Sequence, residues 1–294
     1  RKNEGADNIV AADIRRLDKY EIEGPFEQLD ILEEGRLRAI IKENNIDEIY
    51  HLVAVLSAKG EARPKFAWDL NMNSLLEILE IAKDGLIKKI FWPSSIAVFG
   101  PDTPKESTPQ NTIMNPDTVY GISKLAGEKW CEYYYQKYNV DVRSLRFPGL
   151  IGYKSLPGGG TTDYAVDIFH KALKNEKFEC FLEANSKLPM MFMPDAIDSI
   201  LGIMNASPEN INIRTSYNLA AISFSPEEIG NEIKKHFPDF RIDYKPDFRQ
   251  NIANSWPDSI DDSEARQDWG WKHNYDLQAM CQEIIKELPN YFEY

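Results

Sequence analysis

Tyr120 and Lys124 stand four residues apart in Pro116-Asp117-Thr118-Val119-Tyr120-Gly121-Ile122-Ser123-Lys124, a segment that continues through Leu125 to Trp130 with helical character. At that spacing both side chains lie on one helical face, a turn apart. A solvated tyrosine has a pKa of about 10, so only about one in a thousand is phenolate at neutral pH. A fixed ammonium nearby favours the anion and lowers that value, which makes the pair a candidate general base. The same spacing also arises wherever a helix sets an apolar ring beside a solvated amine, and perturbed pairs are often structural. The surroundings have to decide.

Upstream, Lys88 to Trp92 reads as a strand that runs into Pro93-Ser94-Ser95. A serine hydroxyl at such a strand end could hydrogen-bond the oxygen of an alcohol or ketone, or simply satisfy backbone groups where the strand stops. Asn8 to Asp13 is a short apolar run ending in an acid. An acid there can accept both hydroxyls of an adenosine ribose and would repel a 2′-phosphate, favouring NAD over NADP. Arg15 and Arg16 weaken that preference, and a plain polar turn is the alternative. Leu156 to Tyr164 contains Gly158-Gly159-Gly160-Thr161-Thr162, whose amides and hydroxyls could hold a small carboxylate at a helix start, or form a surface turn and N-cap.

The elements that must position these groups alternate. Further strand-like pieces are Phe26 to Glu33, Glu48 to Ala54 and Val140 to Arg146; helical ones are Arg36 to Asn44 and Phe66 to Lys83. Ser57 to Glu61 reads as a polar loop. Such alternation predicts an α/β fold, a doubly wound parallel sheet of Rossmann type whose ligand crevice lies beyond the carboxyl ends of the strands. Past about residue 150 the alternation loosens. Residues 1–150 are expected to form a dinucleotide-binding domain, with 190–220 returning to it, and 151–189 with 221–294 a smaller substrate-binding region. Leu188 to Asp195 reads as a buried strand entering a helix, and Ser216 to Ala220 as a strand rejoining the main sheet.

With 43% apolar residues, 14 Phe, 14 Tyr and 6 Trp in 294 residues, a packed core is expected and disorder is not. The formal charge of -13 argues against nucleic acid as a partner, since phosphate binding needs a basic surface. Three cysteines, Cys131, Cys180 and Cys281, odd in number and without metal-like spacing, argue against a disulfide framework and fit a reducing, cytoplasmic setting. No apolar run reaches membrane-spanning length and the first four residues do not resemble a signal peptide, so no membrane partner is expected. The histidines His51, His170, His236 and His273 are scattered, so no metal site is expected.

Ser95, Tyr120 and Lys124, on a strand end and the following helix, resemble the extended short-chain dehydrogenase/reductase superfamily. A narrower resemblance is to short-chain-type L-threonine 3-dehydrogenases, through Leu56 to Glu61, Phe147 to Gly152, Leu156 to Tyr164, Leu188 to Ile197, Ser255 to Asp262 and Trp269-Gly270-Trp271. Sugar-nucleotide epimerases of the superfamily usually carry an Asn-x-Tyr-Gly-Pro type motif where this chain has Pro148 to Gly152. The resemblance implies NAD-dependent oxidation of L-threonine at C3, with Tyr120 as proton acceptor, Lys124 lowering its pKa and holding the nicotinamide ribose, and Ser95 orienting the oxygen. It places cofactor contacts at Asp13, Ile14, Arg15, Asp30, Ile31, Leu52, Ala54, Tyr120, Lys124 and Pro148. Substrate contacts fall at Ser57, Ser95, Tyr120, Gly160, Thr161 and Thr162. It implies a homodimer formed by the helices from Phe66 and from Val119. The superfamily's opening strand and Gly-x-x-Gly-x-x-Gly turn are absent, so roughly fifteen to twenty further N-terminal residues are expected to carry them. A nucleotide-sugar epimerase or dehydratase, and a non-catalytic dinucleotide-binding regulator, are the competing readings.

Overall fold

The computed structural model describes residues 5–16 and 23–292. The first half alternates as the pattern of apolar residues requires: β1 (Ala11–Asp13), β2 (Phe26–Gln28), α1 (Arg36–Asn44), β3 (Glu48–Tyr50), α2 (Ser57–Ala62), α3 (Pro64–Trp68), α4 (Ser74–Lys83), β4 (Lys89–Ser95), α5 (Val119–Tyr138) and β5 (Asp141–Phe147). Asn45 and Asn139 end α1 and α5 in the left-handed region, at φ 53° and 57°, a conformation asparagine tolerates well. The helix expected from Phe66 to Lys83 is α3 and α4 joined by a π-turn, Asp69–Asn73. That turn aims Asn71 sideways, and its amide clasps the Val55 backbone at both N–H (2.8 Å) and C=O (3.1 Å).

The second half adds β6 (Gly149–Ile151), α6 (Tyr164–Leu173), β7 (Phe178–Cys180), β8 (Leu188–Phe192), α7 (Met193–Asn205), β9 (Tyr217–Asn218), β10 (Ile222–Phe224), α8 (Pro226–Lys234), β11 (Ile242–Tyr244), α9 (Phe248–Ser255), α10 (Ser263–Trp269) and α11 (Leu277–Glu287). Helix α8 opens with a reciprocal cap, Ser225 accepting from the Glu228 amide and Glu228 from the Ser225 amide, and with Pro226 in its first turn.

The fold is a Rossmann-type α/β fold built on parallel strands. The main sheet runs β3-β4-β5-β9, all parallel, and β1 pairs with β2 in parallel. A second sheet, β10-β8-β6, sets β8 parallel to β6 and antiparallel to β10, and β7 pairs with β11. Chain return to the main sheet is therefore made by β9, while Leu188–Phe192 stays in the second sheet beside β6. One core cluster lies between α1, α4, α5 and the main sheet, around Leu75, Leu79, Ile90 and Trp92. Another joins the second sheet to α6, α8 and α11, around Tyr164, Phe169, Met190 and Ile284.

Two local readings are corrected. Ser57–Ala62 is a helix, not a loop, because it docks on the start of α5: Glu61 Oε1 accepts the Val119 N–H at 2.8 Å. The strand expected over Glu48 to Ala54 ends at Tyr50, after which the chain turns to meet Asn71.

Candidate active site

Strand β4 carries Ser95 to its carboxyl end, where its Oγ caps a short 3-10 turn by accepting the Ala97 N–H at 3.2 Å. The same hydroxyl faces the Tyr120 phenol and favours its anion. Of the two sequence readings of this serine, the backbone role is therefore seen directly, and the hydroxyl also faces the tyrosine. Helix α5 delivers Tyr120 because Thr118 caps it, Oγ1 accepting the Gly121 N–H at 3.0 Å. Gly121 lets the helix start press on the Ser95 turn, since a methyl group there would lie 2.1 Å from the Ala97 carbonyl oxygen. Ser94, one residue earlier, points away from the crevice, and its hydroxyl donates to Glu128 at 2.6 Å.

Lys124 is buried a turn below Tyr120, its Nζ 5.6 Å from the tyrosine ring centre, 4.6 Å over the Trp92 ring and 2.5 Å from the Pro93 carbonyl oxygen, to which it donates. The electrostatics correct one expectation. Burial pushes the Tyr120 phenol up to about 12, and the Ser95 hydroxyl facing it works against that rise only in part. Lys124 does not bring the phenol below its ordinary value in this arrangement, because the ammonium is spent on Pro93 and burial lowers its own value to about 8. Desolvation of both groups outweighs their mutual attraction.

The proposed cofactor contacts sit at or beyond the carboxyl ends of parallel strands: Asp13 as the last residue of β1 with Ile14 and Arg15 after it, Asp30 and Ile31 after β2, Leu52 and Ala54 after β3, Pro148 after β5. Asp13 Oδ1 takes the Arg15 N–H at 2.8 Å, which holds this carboxyl below its ordinary value and leaves Oδ2 without a partner among the described residues. Ile14, the next residue, presents bare apolar surface beside it (61% exposed), and Leu52, beyond β3, is also exposed (64%). A free carboxylate oxygen next to an apolar bed suits a ribose and its flat base, so these residues fit a dinucleotide. Asp30 is used in its own turn, accepting the Leu32 N–H at 3.0 Å, and Ile31 packs against the core around Leu37.

In the glycine-rich stretch, Asp163 rather than a threonine holds the helix-capping position. Its Oδ2 accepts the Gly159 and Gly160 amides at 2.7 and 2.8 Å, so those amides already hold a carboxylate. Thr161 Oγ1 is buried and has no hydrogen-bond partner among the described residues. Thr162 lies against Gly149, next to Pro148; a methyl group on that glycine would be 2.6 Å from Thr162 Cγ2. Ser57 is buried in the first turn of α2. Sequence reasoning passed over Asn71, His51 and Glu128, although Glu128 continues the Tyr120–Lys124 spacing by four more residues.

The sequence model of the NAD dependent epimerase/dehydratase family matches residues 2–220. The chain belongs to that family. NAD is its cofactor. An uncharacterized epimerase/dehydratase of Staphylococcus haemolyticus is 46% identical over 287 residues, which cover 97% of this chain and 90% of that one. Among solved structures, a partial consensus L-threonine 3-dehydrogenase is 50% identical with a TM-score of 0.96, and a GalE-like L-threonine dehydrogenase from Cupriavidus necator in holo form is 48% identical, also at 0.96. Each alignment covers 98% of this chain and 93% of the other. A monomeric L-threonine 3-dehydrogenase from a metagenome, in apo form, is 47% identical with a TM-score of 0.94, over 98% of this chain and 92% of its own. These neighbours share the extended short-chain dehydrogenase fold seen here.

Proposed function

We propose that this member of the family oxidises L-threonine at C3 to 2-amino-3-ketobutyrate. The observation that carries the reading is the Ser95–Tyr120 hydroxyl pair at the end of β4 with Lys124 buried behind it, in a chain that resembles L-threonine 3-dehydrogenases along nearly its full length. Ser95 holds the C3 hydroxyl, and Tyr120, acting as a phenolate whose charge Lys124 balances, takes the hydroxyl proton as the hydride leaves C3. Bound NAD supplies the hydride acceptor, and Asp13 holds it by the ribose. The Thr161 hydroxyl, buried and unpartnered among the described residues, is a candidate for the amino-acid head group, together with Ser57 and Thr162. Gly160 would contribute only if Asp163 gave up its amide.

General base catalysis typically contributes a hundredfold to ten-thousandfold, roughly. Tyr120→Phe is expected to lower turnover by about that much and to leave NAD affinity nearly intact; wild-type turnover in this variant overturns the assignment. The name of the staphylococcal relative favours a second reading, an epimerase or dehydratase that recycles its NAD. Absorbance at 340 nm separates the two: steady NADH formation with L-threonine supports the dehydrogenase, and none with L-threonine, L-allo-threonine or L-serine rejects it.

A further inference from the structure

Below Lys124 lies an ion pair with no access to solvent, which the proposed chemistry does not use. Glu128 is 0% and Arg146 2% exposed. The contact is two-pronged, Arg146 Nε donating to Oε1 at 2.9 Å and Nη2 to Oε2 at 2.8 Å. Ser94 donates to the same Oε1 at 2.6 Å, while Arg146 Nη1 reaches the Gln110 carbonyl and Asn218 Oδ1, both at 3.0 Å. The pair thus ties α5 to β4, β5 and β9 at once.

A buried ion pair is a weak source of stability, because desolvation offsets most of its attraction and an apolar pair of equal volume often does as well. Its placement points elsewhere. Tyr120, Lys124 and Glu128 recur every four residues, so they form one stripe down α5. The stripe and its strand partner hold two cations, Lys124 and Arg146, against one carboxylate.

We propose, resting on the reading of Tyr120 as proton acceptor, that Glu128 and Arg146 are positioning residues for the Ser95–Tyr120–Lys124 group. Anchored in three strands, they set the rotation of α5 and leave one unbalanced buried cation, Lys124, a turn below Tyr120, its Nζ 5.6 Å from the ring centre. The other groups facing Lys124 carry no charge: burial and the lysine itself lower His51, on the β3 side, to about 3, and burial pushes the Cys131 thiol up. Glu61 of α2 is engaged at the exposed start of α5, and Glu80 and Lys83 of α4 pair with each other beside Tyr134. A phenolate is the anion that would complete the balance.

The test follows the Lys124 side chain by NMR in lysine-labelled protein, its signal assigned by its loss in Lys124→Met. In the wild type its midpoint is expected near 8. Glu128→Gln leaves two unbalanced cations and is expected to lower that midpoint by about one pH unit. The double variant Glu128→Gln with Arg146→Gln removes both charges and is expected to restore it most of the way. An unmoved midpoint in Glu128→Gln, or a double variant no closer to wild type than the single, overturns the proposal. Should Glu128→Gln fail to fold, Arg146→Lys keeps the charge and loses the two-pronged contact; turnover roughly tenfold lower at unchanged KM for NAD is expected, and wild-type turnover overturns the positioning role. A wild type that makes no NADH from threonine counts against the threonine reading alone, since the titration is read without substrate.

Discussion

Burial lowers Lys124 from 10.5 to about 8. Between those values the unfolded chain holds a proton that the folded chain has released, so stability rises with pH across that window and the full cost of burying the ammonium is felt below it. Lys124→Met keeps the volume and removes the charge. It is expected to raise stability at pH 7 by about 2–3 kcal/mol, to show no gain above pH 10.5, and to abolish turnover; thermal melts at the two pH values check this. His51 acts on the acid side. Its Nε2 lies 2.9 Å from Ser74 Oγ, and it stays neutral down to about 3. As pH falls from 6.5 toward 3 the unfolded chain takes up a proton the folded one refuses, so stability is lost there, and His51→Gln is expected to flatten that part of an acid titration followed by circular dichroism. At this scale the shared face of Tyr120 and Lys124 was legible from their four-residue spacing, while Ser95 joined them only through the reading of a strand end and the family resemblance. The raised phenol was not, because a pKa depends on how much water each group keeps, which spacing does not encode.

Helix α5 is placed by two glycines. At Gly127 a methyl group would lie 2.4 Å from the Trp92 ring, and at Gly121 it would lie 2.1 Å from the Ala97 carbonyl oxygen and 2.7 Å from Pro116 Cβ. Gly121→Ala is expected to push the start of α5 off the Ser95 turn, costing about 1–3 kcal/mol of stability and lowering turnover more than NAD affinity; denaturation midpoints and steady-state kinetics read the two effects separately. The helix Ser57–Ala62 shows why some elements escape a reading of the sequence. Six residues with a glycine among them are too short to be helical alone, and this one is held by Glu61 on the Val119 amide and by Gly60 packing against the Val119 side chain.

For the whole molecule, the outer face of α5 exposes Trp130, Tyr133 and Tyr138, whose rings stack edge to face with one another. We propose that a second copy covers them, an arrangement that suits large aromatic rings better than water does. Light scattering is expected to give twice the chain mass, and Tyr133→Arg the mass of one chain; a wild type at one chain mass, like the metagenomic neighbour described as monomeric, overturns the dimer. Among the described residues no helix is long and apolar enough to cross a membrane. The two halves are knit by contacts between remote segments: Lys105 donates to the Asn254 and Trp256 carbonyls at the end of α9, and Thr108 bridges to Ile260.

The sequence by itself determined the alternation of strands and helices, the strand end that carries Ser95, and the common helical face of Tyr120 and Lys124, because these depend on local periodicity and short spacing. The tertiary structure decided what depends on distant neighbours. It turned the Gly159 and Gly160 amides onto Asp163, sent Leu188–Phe192 into the second sheet, and sealed Glu128 against Arg146 across eighteen residues. Each of those outcomes is a competition for hydrogen bonds or for exclusion from water, and only the folded arrangement brings the competitors together.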